Sequence, residues 1–322
     1  MKYALFILLA FSIPHFSFSQ GCSDAGFCTM GAMKPDQPFN KKIAVRLQSA
    51  EISFYRGTTT LTPIIYVATA DLNFSIRGKN TFQVKLPYQA VTGRLANTQG
   101  MGDISLCFTR NIYASDKFNL NLSFGAKIPT NHSDKWTPST TPGERWPLPM
   151  YYQTSLGTYD VISGISLINR KWLLATGIQI PLNANKNNFT WSSWADAESD
   201  LREYAGRYNQ AKDLRRGIDV MLRIERNFRF SKFNFSAGIL PIYRITRDEF
   251  VKSGVAENSP LQKVRPNDAQ GLACSIIATT GYNFDVRSGI RLLVGHKIVQ
   301  RKTNPDGLTR EFVSSLTYVY RF

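Results

Sequence analysis

Chemistry in this 322-residue chain would have to come from few side chains. Of its three histidines, His15 lies in an apolar N-terminal stretch, leaving His132 and His296. There is no GxSxG elbow, no Walker phosphate loop and no HExxH pair. Adjacent His132 and Ser133 have the types of a base and a nucleophile. Neighbours on an extended chain point to opposite faces, however, and the Pro-rich run from Thr137 to Pro149 makes this a loop. A catalytic pair is therefore not expected, nor is any metal or cofactor. Cys22 and Cys28 are spaced closely enough to bridge a small loop, while Cys107 and Cys274 fall on opposite faces of their strands and should not pair.

Better candidates are polar residues that alternate with apolar ones, because the selectivity of a pore resides in the charged and hydrogen-bonding groups that line it. Asp71, Asn73, Lys85, Lys127, Gln179, Asp219, Arg223, Glu225, Arg291, Lys297 and Glu311 each fall opposite an apolar set. They either line a lumen or pair across a filled one and only stabilise it.

The elements that position them are strands. From Phe118 to Ile128 the apolar Phe118, Leu120, Leu122, Phe124, Ala126 and Ile128 alternate with Asn119, Asn121, Ser123, Gly125 and Lys127. Similar runs predict twelve strands near 42–55, 62–77, 80–90, 102–114, 117–128, 152–168, 171–182, 214–229, 232–246, 270–284, 287–299 and 309–322. Tight joints at Gly78-Lys79, Ser115-Asp116, Asn169-Arg170, Ser231 and Asp285-Val286 alternate with longer connections, notably 129–151, 183–213 and 247–269. Short turns on one side and long loops on the other describe a transmembrane antiparallel up-and-down β-barrel of about twelve strands, with the turns periplasmic and the loops extracellular. The expected class is all-β. Within 183–213, Leu201, Tyr204, Ala205 and Tyr208 share one helical face, with Glu198/Arg202 and Glu203/Arg207 at i,i+4 spacing.

Residues 1–19 read as a signal peptide, with Lys2, an apolar run from Ala4 to Phe11, and Ser17 and Ser19 before the cut. Lipidation of Cys22 competes but lacks the usual leucine three residues earlier. Residues 20–41 form an N-terminal segment, a periplasmic tail or a plug, and 42–322 the barrel. In the last strand Phe312, Leu316, Tyr318, Tyr320 and Phe322 share a face. Tyr318, Tyr320 and the terminal Phe322 are expected to be read by barrel-assembly machinery.

The formal charge of +16 becomes +15 once Lys2 is removed. Export argues against nucleic acid as the partner and for outer-membrane lipid and lipopolysaccharide, with a small solute in the lumen.

At Gly100-Met101-Gly102-Asp103, followed by Ile104, Leu106 and Phe108, the sequence resembles barrels of the "MetA-pathway of phenol degradation" family, similar in architecture to long-chain fatty-acid channels of Gram-negative bacteria. The likeness continues through Lys127 to Thr130, Gln153 to Asp160 and Trp172 to Leu182. It implies a rim in which Gly100, Gly102 and Gly157 permit bends and Asp103 and Asp160 hold backbone. It also implies a passive channel for small, hydrophobic or aromatic solutes. A non-transporting anchor in envelope assembly or partner binding is the alternative, and a lipid-modifying enzyme the third reading.

Overall fold

Outward-facing apolar and inward-facing polar residues exchange places along strand after strand. A sheet patterned this way can satisfy every backbone group against lipid only by closing on itself. A computed structural model describes residues 30–34, 46–59, 61, 63–76, 79–308 and 310–322, and shows that closure. The signal peptide, Cys22, Cys28 and Gly78 lie outside the described residues.

In chain order the strands are β1 (Arg46–Thr59), β2 (Ile64–Ile76), β3 (Asn80–Thr92), β4 (Asn97–Met101), β5 (Ile104–Ala114), β6 (Phe118–Ile128), β7 (Trp136–Pro138), β8 (Arg145–Pro147), β9 (Asp160–Asn169), β10 (Trp172–Pro181), β11 (Lys212–Arg215), β12 (Asp219–Arg229), β13 (Phe233–Arg244), β14 (Glu249–Lys252), β15 (Gln262–Val264), β16 (Gly271–Asn283), β17 (Ser288–Val299) and β18 (Arg310–Arg321). Twelve of them, β1, β2, β3, β5, β6, β9, β10, β12, β13, β16, β17 and β18, pair antiparallel with their neighbours. The pairing of β1 with β18 closes the ring, with Ile52 opposite Tyr318 and Phe54 opposite Leu316. β4 pairs with the far end of β3 and is separated from β5 by Gly102-Asp103, so the two form one wall strand with a break.

Besides β4, which carries its wall strand back to Asn97 rather than 102, the observed boundaries differ from the expected ones in three places. β9 begins at Asp160 rather than 152. The chain before it turns at Met150–Tyr152 and passes through Gly157, whose φ of +69° leaves the extended region. β12 begins at Asp219 rather than 214, because 212–215 pairs instead with β14 above the barrel. β1 runs on to Thr59 rather than 55, so only residues 60–63 separate it from β2, and this long-side connection is as short as the turns.

The outer face carries two aromatic rings. Near the short turns lie Tyr113 against Phe118, Phe228 against Phe235, Phe233 against Tyr282, and Tyr320 against Phe322, with centroids 4.7–5.9 Å apart. Near the long loops, Tyr66, Tyr88, Tyr159 and Tyr243 are exposed. From Phe233 to Tyr243 is ten residues of one strand, which at ~3.4 Å per residue and a tilt of ~40° spans ~26 Å, about the height of a barrel's apolar band.

The long connections fold over the mouth as a dome with a core of its own. The β7/β8 hairpin, the turns at Met150–Tyr152 and Ser192–Trp194 and the helix α1 (Ser199–Ala205) enclose Trp146, Leu148, Tyr152, Phe189, Trp194, Tyr204 and Tyr208, packed onto Ile65, Val91 and Leu95 at the barrel rim. Trp146 stacks on Trp194 at 4.9 Å. Tyr208 Oη lies 3.1 Å from Tyr152 Oη and 3.2 Å from Tyr204 Oη. Burial and these tyrosines push the Tyr208 phenol far above its ordinary range. The expected helix face is thus an internal one, and Glu203 pairs with Arg207 at 2.9 Å.

Candidate functional site

The lumen is built from the inward faces. In its lower part, toward the short turns, Met30–Lys34 lies inside the barrel. Met30 and Met33 are fully buried with Cys107, Ile162, Ile168, Leu173 and Ala175. Glycines on the wall admit them: a Cβ at Gly164 would lie 2.7 Å from Met33 Sδ, and one at Gly125 3.1 Å from Met30 Cε. Gly31 adopts φ +48°, and a Cβ there would sit 2.4–2.6 Å from Cys107 Sγ, Ser123 Oγ and Thr109 Oγ1, so only glycine fits. Its N–H donates to Gln83 Oε1 at 2.7 Å, and Arg223 Nη1 donates to Met33 O at 3.3 Å. Lys34 ends the segment with an ion pair to Glu51 at 2.5 Å and to Asp71 at 3.6 Å.

Above this segment and below the dome is a cavity of about 210 Å³. Its floor is the Lys34, Glu51, Asp71 and Arg291 cluster, its walls include Ile65, Val67, Leu240, Ile277, Leu293 and Val313, and its roof Met150, Tyr151, Leu156 and Leu308. Seven cationic side chains and five carboxylates line it. A chamber with apolar walls and charged ends suits a small organic molecule with a polar group.

Of the eleven polar residues expected to line the lumen, Asp71, Lys85, Lys127, Arg223, Arg291, Lys297 and Glu311 reach the cavity. Asn73, Gln179, Asp219 and Glu225 face inward without reaching it, because partners cover them. Asn73 donates to Asp71 at 3.2 Å, Gln179 donates to Asp160, Asp219 is held by Arg244 at 2.7 Å, and Glu225 is paired with Arg223 and accepts from Ser236 at 3.2 Å. Seven of the eleven therefore border open space, and four are covered by their partners.

The rim glycines and aspartates act on the loops. Gly102 N–H donates to Pro87 O at 2.8 Å where the β4/β5 strand breaks, and Gly100, at φ +155°, lies beside Asn131. Asp103 accepts from Leu156 N at 3.1 Å and from Ser155 Oγ, and pairs with Lys127 at 3.2 Å. Asp160 accepts from Thr158 Oγ1 at 2.8 Å and from Arg216 at 3.2 Å, so it holds side chains where backbone was expected.

Arg216 belongs to a network that periodicity could not reveal. Arg216, Arg244 and Arg301 meet Asp160, Asp219, Asp248 and Asp306 over the upper lumen, with Arg244 reaching Asp219 and Asp248 at 2.7 Å and Asp306 at 2.8 Å. Burial alone would raise the Asp306 carboxyl, but Arg244, Arg301 and Arg216 overcome it and hold Asp306 well below its usual range. Four of these seven residues lie on the long loops, where no alternation marks them. Glu51 was legible: it alternates inward with Ser49, Ser53 and Tyr55 against outward Ile52 and Phe54.

His132 is exposed, whereas Ser133 is buried and its Oγ accepts from Lys186 N–H at 3.2 Å. Among the described residues no group of His, Cys, Asp and Glu is placed to hold a metal ion. Tyr318, Tyr320 and Phe322 lie on the outer wall in the lower aromatic ring.

A closed twelve-strand barrel with an apolar band between two aromatic rings defines an outer-membrane β-barrel protein. No protein-family profile and no curated protein matches the chain. Among solved structures it is similar to an outer-membrane channel from Pseudomonas putida F1, with a TM-score of 0.57 and 12% identity over 89% of this chain and 99% of that one. It is also similar to the NanC porin (TM-score 0.45, 7% identity, 85% and 100% covered) and to outer membrane phospholipase A of Escherichia coli (0.39, 6%, 87% and 99%). At these identities the likeness is one of fold.

Proposed function

We propose that the chain is an outer-membrane channel for passive diffusion of small solutes, resting with its lumen occupied by Met30–Lys34. The observation that carries this reading is the cavity between that segment and the dome, large enough for many waters or a small organic molecule and lined by the barrel's inward faces. Twelve strands enclose more than the filled interior of an eight-strand barrel and less than a sixteen-strand porin, which suits a narrow path. The Pseudomonas putida neighbour, named a channel, supports the same reading. Lipid, lipopolysaccharide, the assembly machinery and the solute itself are the partners it implies.

The second reading, a non-transporting anchor in envelope assembly, is favoured by the dome, whose own core gives it a firm external surface. An enzymatic reading finds no support in the placement of His132 and Ser133.

Single-channel recording separates the two readings. Met30→Asp/Met33→Asp places two carboxylates in an apolar pocket, at a cost of several kcal/mol each, which expels the segment without touching the wall. The wild-type protein is expected to conduct rarely and the variant steadily. A folded variant as silent as the wild type would leave the anchor reading standing.

A further inference from the structure

Most charges in the lumen answer one another. Glu51 has Lys34 and Arg291, Asp103 has Lys127, and the aspartates of the upper network have three arginines. Lys297 does not follow this pattern. It projects inward near the upper end of β17, opposite Ser275 of β16, is 1% exposed, and lines the cavity. Its ammonium is buried with no hydrogen-bond partner among the described residues. The acids whose fields reach it are Asp306 and Glu311, with Arg301 opposing them. Asp306 is already engaged by Arg216, Arg244 and Arg301. Glu311 faces it from β18 and forms no ion pair with it.

A buried lysine amine with unused donors gives up its proton unless an anion or water meets it, so an anionic group entering this site would bring the ammonium back and gain a hydrogen-bonded ion pair. Apolar side chains of Leu240, Ile277, Leu293 and Val313 line the same chamber, with Ile65 and Val67 across it. These surfaces exclude water and favour a hydrocarbon body.

We infer that the cavity binds a small monocarboxylate with an apolar body, its carboxylate on Lys297 and its body against Leu240, Ile277, Leu293 and Val313. Only this arrangement uses both the unmatched cation and the apolar wall: a neutral hydrocarbon leaves Lys297 unmet, and a polyanion leaves the wall wet. Glu311 is then the built-in competitor, an anion near enough to the ligand's carboxylate to weaken binding by like-charge repulsion. This deepens the channel proposal by naming a solute class and rests on the same cavity.

The test uses the full chain in nanodiscs, free of detergent that would compete for an apolar site. Binding of hexanoate, with hexan-1-ol as the uncharged comparison, is followed by saturation-transfer NMR and calorimetry. Folding of every variant is checked by heat-modifiable gel mobility. Hexanoate is expected to bind at least tenfold more tightly than hexan-1-ol. Lys297→Met, which keeps length and apolar bulk, should erase that preference while leaving hexan-1-ol unchanged. Glu311→Gln should tighten hexanoate severalfold. Equal affinity for acid and alcohol, or a hexanoate affinity untouched by Lys297→Met in a folded barrel, would overturn the inference. No binding of hexanoate to the wild-type protein would overturn it as well. Because binding is read without current, a barrel that binds hexanoate but never conducts refutes the channel and keeps the site, and the reverse result does the opposite.

Discussion

The lower and upper parts of this lumen are filled by opposite means. Below, a five-residue segment makes no β-ladder with the wall and relies on Met30, Met33, Gly31 and Lys34. Above, arginines and aspartates from both strands and loops lock the dome to the rim. The energies differ in kind. Burying two methionines contributes ~3–6 kcal/mol, and the hydrogen bonds of Gly31, Met33 and Lys34 ~2–5 kcal/mol. Ordering five residues costs ~5–10 kcal/mol, so docking of the segment is close to balanced. The upper network has no such balance: taking Arg244 away leaves four buried carboxylates to two arginines, Arg216 and Arg301. The lumen therefore has a reversible side and a fixed side.

The largest effect should come from the fixed side. Arg244→Met removes the nearest partner of Asp219, Asp248 and Asp306, leaving them to Arg216 and Arg301 at 3.4–4.0 Å, and is expected to destabilise the protein by about 3–5 kcal/mol, read as a lower urea midpoint. A change under about 1 kcal/mol would make the upper side as dispensable as the lower. Gly31→Val sharpens the contrast from the other direction. With three side-chain atoms within 2.6 Å of its Cβ, the segment should undock and become open to proteolysis, while the urea midpoint of the barrel hardly moves. A fall of several kcal/mol would show that the segment is part of the core.

The smallest effect lies at a turn outside both fillings. Asp285 accepts from Ser288 Oγ at 2.6 Å, Ser288 N at 2.7 Å and Arg287 N at 2.6 Å, which hold its carboxyl below the usual range. A lowered folded value means that the turn is supported above the ordinary carboxylate pKa and loses that support as pH falls through the lowered one. Amide exchange at Arg287 and Ser288, corrected for its intrinsic pH dependence, should therefore be protected at neutral pH and less so in acid, and Asp285→Asn should abolish the dependence.

The wall was legible in the sequence because its period is two. Phe124 out and Lys127 in follow from position alone, and all twelve wall strands were placed. The dome was not legible. Arg216, Asp248, Arg301 and Asp306 sit on loops where nothing in spacing says which way a side chain turns, and their partners are distant in sequence. The reach of β9 was overextended for a related reason: residues 152–159 carry Tyr and Thr that suit a strand, yet Gly157 turns them and Ser155 and Leu156 are claimed by Asp103. For residues 20–41 the sequence alone favours a periplasmic tail over a plug. Met30–Lys34 lies in the lumen because Gly125 and Gly164, on the neighbouring strands β6 and β9, leave room for Met30 and Met33.

The reversible side is tested most directly by a removable lock. In Met33→Cys/Gly164→Cys, made with Cys107→Ser to remove the free thiol of the same cluster, the two positions are neighbours, since a Cβ at Gly164 would lie 2.7 Å from Met33 Sδ. Recorded in planar bilayers, the oxidised protein should stay silent and the same molecules should open when reductant is added. Equal conductance before and after reduction, with the crosslink verified by mass spectrometry, would contradict a lumen gated by Met30–Lys34.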